Sequence, residues 1–168
     1  LGYSINTRDM DQINEAKEEL IKQKPLVYAY LTDEARDLVV QGDAAITVMY
    51  SGDALMMQKQ NPHLKYVIPK EGMNLQVDSM AIPKGAKNKE NAEAFINYFT
   101  DPKVASINAK WMEGFTSAVK GVRENLPAYI ANSKIAYPDF EKLPEIEMFK
   151  DLEDYMQVYN DVWVDVLA

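Results

Sequence analysis

Short apolar runs alternate with amphipathic stretches along the first half of this chain, and that rhythm limits the fold more than any other feature. Behind Asp9, a capping residue with Gln12 placed to reach back, Met10, Ile13, Leu20 and Ile21 recur at helical spacing until Pro25 stops the helix. Residues 26–31 are aromatic and β-branched enough to read as a strand. Thr32 is placed to cap a second helix through Val40, which Gly42 closes. The continuously apolar run 46–50 suits a strand buried on both faces of a parallel sheet, and Ser51-Gly52 turns it into a helix from about Asp53 to Gln60. Another strand is expected at 65–68. The expectation is an α/β fold with a mainly parallel sheet, whose ligands usually sit beyond the carboxyl ends of the strands, where Tyr50 and Asp53 fall.

Residues 74–83 read as one more strand, with Val77, Met80 and Ile82 suited to a pleated element and Pro83 ending it. Asp78 is out of character there. A carboxylate in such a run has to reach solvent, a donor or a cationic ligand. The bland reading is a capped turn or an edge salt bridge. Further on, Asn88 opens a helix with Ala92, Phe95, Ile96 and Phe99 on one face. Asp101 caps the next, with Pro102 at its first position and Val104, Ile107 and Trp111 expected to face inward until Gly114. Phe115 begins a short connection. Residues 125–133 read as irregular with a short helix, and a final helix over 151–166 carries Leu152, Tyr155, Tyr159, Val162 and Trp163.

Inventory removes most chemistries. The 26 acids against 18 bases give a net charge of −8, so no basic face is available for phosphates and nucleic acid is not an expected partner. With no cysteine, disulfides, thiol catalysis and Cys-type zinc sites are excluded. His63, the one histidine, sits in an Asn-Pro-His loop without a second ligand at helical spacing. No nucleophile elbow, Walker loop or dinucleotide turn is present. No cofactor is expected. The chain opens at Leu1-Gly-Tyr without an initiator Met, and we expect a piece of a longer protein.

Several motifs occur in a familiar order: Leu-Gly-Tyr-Ser at 1–4, Tyr-Ser-Gly-Asp-Ala at 50–54, Tyr-Val-Ile-Pro-Lys-Glu-Gly at 66–72, Val-Asp-Ser-Met-Ala-Ile-Pro at 77–83, and Ala-Lys-Asn-Lys-Glu-Asn-Ala with Phe-Ile-Asn-Tyr-Phe within 86–99. Together they resemble the spermidine/putrescine-binding proteins of bacterial ABC importers, of which this chain would be the C-terminal half. The resemblance implies a periplasmic-binding-protein-like (type II) fold, two α/β lobes closing over a ligand. Residues 1–77 would then be part of the second lobe, 78–130 part of the first after a hinge crossing, and 131–168 the return to the second.

The resemblance also gives residues roles. A polyamine is a methylene chain carrying ammonium groups, so its site needs carboxylates at amine spacing with aromatic faces between them. Asp78 matches the carboxylate that grips an amine; Tyr50 stands where the family uses an aromatic, commonly Trp, and Phe115 where it commonly uses Tyr. Phe115 keeps the ring and loses the hydroxyl. Gln76 replaces a Trp that walls the site in better-known members, and Asp53 completes the expected set of ligand-binding residues. The family's other acidic pair lies upstream of the Leu-Gly-Tyr motif.

The implied function is non-enzymatic: an extracytoplasmic component, in the periplasm or anchored as a lipoprotein at the outer face of the membrane, that binds a polyamine and delivers it to an ABC permease. Alternatives are a sensory domain of the same fold, a binding protein for another small cation, and an acid/base enzyme using Asp53 and Asp78.

Overall fold

A computed structural model describes residues 1–168. Its helices are α1 (Met10–Gln23), α2 (Ala35–Gln41), α3 (Ser51–Gln60), α4 (Lys89–Phe99), α5 (Pro102–Trp111), α6 (Ala128–Ala131) and α7 (Tyr155–Leu167), and its strands are β1 (Met73–Leu75) and β2 (Ile146–Met148). The chain forms two compact units, one from residues 1–32, 68–77 and 143–168, the other from 33–67 and 78–142.

In the first unit, α1 starts where the capping pattern places it, because the Asp9 carboxylate accepts from the backbone N–H groups of Asp11 and Gln12. Gln12 does not close the box; its side-chain oxygen accepts instead from the Thr7 hydroxyl at 2.6 Å. α1 packs along α7, burying Ile13 and Val166, and the Tyr30 ring meets Trp163 edge-on at 5.1 Å. β1 and β2 pair in parallel, Met73 opposite Ile146 and Leu75 opposite Met148. Glu147 then reaches the opening segment, accepting from the Ser4 hydroxyl at 2.9 Å and the Ile5 N–H at 2.7 Å. An open apolar depression of about 420 Å³ lies among Tyr3, Ile5, Ile13, Leu20, Tyr159 and Trp163.

The second unit has its own core of Ala105, Ala109, Val122, Leu126, Ile130 and Ala136, with Leu55, Val119 and Tyr137 packed on it. α5 enters with the expected cap, Asp101 accepting from the N–H groups of Lys103 and Val104. Its inner face differs from the expected one. Ala105 and Ala109 are buried, whereas Ile107 and Trp111 are 62% and 84% exposed. Small residues allow the close approach of α5 to the 122–136 segment, and that packing outweighs the preference for burying the larger side chains. α4 carries its apolar stripe as expected, yet buries none of it completely.

The strands differ most from expectation. The sheet consists of β1 and β2 alone, so residues 26–31, 46–50, 65–68 and 77–82 form no ladder. Ile46 and Val48, expected inside, are 88% and 99% exposed. The physical reason is that β-propensity expresses fit to a pleated, half-buried surface, and in this chain no neighbouring strand supplies that surface. Thr32 likewise does not stand at the helix start: α2 begins after Glu34, while Gly42 closes it as expected in the left-handed region at φ 89°.

Candidate ligand-binding site

Four of the five expected site residues, Tyr50, Asp53, Asp78 and Phe115, fall in the second unit, and Gln76 falls in the first. Tyr50 is the residue before α3, with extended φ/ψ, and its carbonyl accepts the Ala54 N–H at 3.0 Å. Its ring is exposed. Two residues on, Gly52 is buried beneath the Phe115 ring: a Cβ built on Gly52 would fall 2.8 Å from the ring carbons. Only a glycine lets the ring lie so close to the first turn of the helix.

The turn that carries Phe115 is pinned at several points. A Cβ on Gly114 would land on the Gly52 carbonyl oxygen, so the two backbones touch. Glu113 sits at φ 51°, a region that L residues rarely adopt, and the Gly114 N–H donates to the Met112 carbonyl at 2.6 Å. The Glu113 carboxylate in turn meets the Lys59 ammonium at 2.6 Å, tying the turn to the far end of α3. That hydrogen bond and charge hold the Lys59 ammonium above the ordinary lysine pKa. Together these contacts place an aromatic ring beside the start of α3, next in line to Tyr50.

Asp53 occupies the third position of α3, where a helix N-terminus favours negative charge, and is only 3% exposed. Its Oδ1 accepts from Arg36 Nη1 at 2.8 Å. Arg36 also donates through Nε to the Asp33 carbonyl at 3.1 Å, and Asn61 Nδ2 donates to the Val40 carbonyl at 3.1 Å, so α2 is joined to both ends of α3. Asp78 lies in the irregular segment after β1, exposed and engaged with its surroundings; Gln76, also exposed, directly follows β1. The structure therefore brings Tyr50, Asp53 and Phe115 together around the first turn of α3.

Sequence reasoning missed Arg36, Gly52 and Gly114. Asp53 was the available signal, since a carboxylate in an apolar helix start calls for a cation. Nothing in the local pattern says that the cation stands 17 residues upstream. Gly52 and Gly114 are informative only as a pair, because each is required by the other's backbone.

The arrangement has a buried acid held by an arginine and two aromatic rings at the start of one helix, faces that suit holding a ligand. The comparisons agree. Residues 1–142 match the family described as bacterial extracellular solute-binding protein, and the chain belongs to that family, a family of binding proteins and not of enzymes. Its fold is accordingly the α/β fold of periplasmic solute-binding proteins.

Among individual relatives, it is 34% identical over its whole length to the spermidine/putrescine-binding periplasmic protein of Salmonella typhimurium, of which it covers 48%, and 33% identical to that of Escherichia coli, again 48%. Among solved structures it superposes with a TM-score of 0.91 on a putative spermidine/putrescine ABC transporter protein from Listeria monocytogenes. A spermidine/putrescine transporter substrate-binding protein from Streptococcus pneumoniae, crystallised with calcium and HEPES, gives 0.81. Each is 34% identical, with 99% of this chain and 51% of the other covered. The chain thus spans about half the length of the relatives it matches.

Proposed function

We propose that the chain is the polyamine-gripping half of an extracytoplasmic binding component of an ABC importer. The observation that carries this reading is the match over the full 168 residues, at 34% identity, to a protein named for binding spermidine and putrescine. The site supports it: Tyr50 and Phe115 offer aromatic faces to a methylene chain or an ammonium, and Asp78 offers the anchoring carboxylate. Gln76, whose amide accepts and donates, gives no cation–π face where the resemblance implies a Trp. In the longer protein, the ligand closes two lobes by binding the closed form better than the open one, and the closed form is what a permease recognises. The lobe boundaries near residues 77 and 130 belong to this proposal.

The test is a thermal-shift titration of the intact protein against putrescine, spermidine and spermine, with a few amino acids and sugars as controls, alongside Asp78→Ala. A ligand that binds only the folded state raises the melting temperature once its concentration exceeds Kd. The expected result is a rise specific to polyamines that is lost in Asp78→Ala. A rise with other solutes and none with polyamines overturns the ligand class, and a polyamine rise that survives in the variant overturns the role of Asp78.

A further inference from the structure

We infer that Arg36 is a resident cation: its guanidinium already fills the seat that the Asp53 carboxylate would offer to an ammonium, so Asp53 acts as a positioning residue and Arg36 limits how many charged centres a bound amine presents to this unit. The inference rests on the reading that an amine binds beside Tyr50 and Phe115.

Asp53 has the features of an ammonium seat. It is an acid at a helix start, within three residues of an exposed aromatic ring, and on the helix turn that Phe115 covers. It is nevertheless almost sealed, with its side chain 4% exposed, and the Arg36 side chain beside it is 34% exposed. The guanidinium is gripped from two directions, by Asp53 Oδ1 at 2.8 Å and by the Asp33 carbonyl at 3.1 Å, with the Asp33 carboxylate 4.0 Å from Nη2. An arginine stays charged at any working pH, and its planar fork loses little freedom when held in this way.

An arriving ammonium would have to displace a held guanidinium and then satisfy a carboxylate it can barely reach. Leaving one partner of a buried pair alone is strongly unfavourable, so the pair stays closed and the ligand is gripped elsewhere. The pair then serves the site indirectly. By fixing the first turn of α3 against α2, it holds Gly52 beneath Phe115 and Tyr50 at the helix start.

The test compares the intact protein with Arg36→Ala, Arg36→Lys and the double variant Arg36→Ala/Asp53→Asn, by thermal shift and calorimetry. Arg36→Ala leaves an uncompensated carboxylate beside a guanidinium-sized gap. Its ligand-free melting temperature should fall, and millimolar ethylguanidinium or ethylammonium should restore part of it, with no such effect on the unchanged protein or the double variant. The same variant should bind spermine, relative to putrescine, at least tenfold more tightly than the unchanged protein does, because a further carboxylate has become available. Arg36→Lys should keep the original selectivity. The double variant, with neither charge, should recover stability relative to Arg36→Ala and show no gain for spermine over putrescine, since no further carboxylate is exposed.

Two results overturn the inference. One is an Arg36→Ala variant that folds but shows neither rescue by the small cations nor a change in selectivity. The other is a double variant as stable as the original that has lost polyamine binding tenfold or more, which would make Asp53 a direct ligand contact. If Arg36→Ala does not fold, the double variant decides. If the unchanged protein ignores all polyamines, the functional reading fails, and rescue of Arg36→Ala by ethylguanidinium still decides the role of Arg36.

Discussion

The Phe115 ring lies against Gly52 in the first turn of α3, with no room for a Cβ between them. This contact joins the two aromatic candidates of the site through backbone, since Tyr50 is two residues from Gly52. Gly52→Ala should destabilise the second unit by about 1–3 kcal/mol, the usual range for forcing an extra methyl into a packed place. Denaturant unfolding of Gly52→Ala, Phe115→Ala and Gly52→Ala/Phe115→Ala checks it. The double variant should show a smaller penalty for the alanine at 52 than the single, because the ring that clashes is gone; equal penalties would mean that the ring is not what Gly52 accommodates.

The Glu113 backbone gives a second expectation. At φ 51° a Cβ is strained, and glycine is not. Glu113→Gly should therefore be more stable than Glu113→Ala by about 1 kcal/mol, both having lost the ion pair to Lys59. Because Lys59 is exposed, its pair contributes little, and Lys59→Met should leave the melting temperature nearly unchanged, with any difference shrinking at high salt. Melting curves of the three variants at low and high ionic strength measure both effects.

Tyr137 places a hydroxyl in the second unit with no hydrogen-bond partner, while its ring stacks beneath the Arg123 guanidinium at 4.4 Å. Tyr137→Phe keeps the stacking and removes an unsatisfied group, so it should be neutral or stabilising by about 1 kcal/mol. Burial raises the Tyr137 pKa, and the Arg123 charge opposes the rise; burial also raises Tyr66 and Tyr159. A raised folded-state pKa means that the unfolded chain gives up its proton first. The stability these tyrosines contribute is therefore complete below their ordinary pKa, near 10, and is lost as pH climbs through the raised values. Denaturation midpoints between pH 9 and 11 should fall, and fall less steeply in Tyr137→Phe.

Two helix starts rest on single carboxylates. Asp9→Ala and Asp101→Ala each remove a side chain that accepts two backbone N–H groups, and each should cost about 1 kcal/mol. Asp→Asn at either position should cost less, since an amide oxygen still caps. Thermal denaturation of the four variants separates capping from charge.

How legible these features were follows their range along the chain. The Asp9 and Asp101 caps and the Gly42 stop follow from neighbours within about four residues, and they stand where the pattern puts them, whereas the start of α2 falls three residues later than Thr32. The run 46–50 has a strand's composition, but a strand exists only when another backbone pairs with it. The inner face of α5 was misread for a similar reason. Periodicity marks which residues are large and apolar, and the surface that α5 meets favours Ala105 and Ala109 over Ile107 and Trp111. The candidate residues 50, 53, 78 and 115 were marked by their motifs, whereas the contacts that hold Asp53 and Phe115 in place could not be read from the sequence.

From the sequence alone came the family, the solute-binding class, and the helix caps at Asp9 and Asp101 with the stop at Gly42, because each depends on residue identity or on short-range backbone hydrogen bonding. Only the tertiary structure decided which apolar runs pair, which face of α5 turns inward, that Phe115 rests on Gly52, and that Arg36 holds Asp53. Those outcomes depend on free energies of contact between residues 17 to 73 positions apart, such as Arg36 with Asp53 and Met73 with Ile146, and pairs so distant leave no periodicity in a sequence.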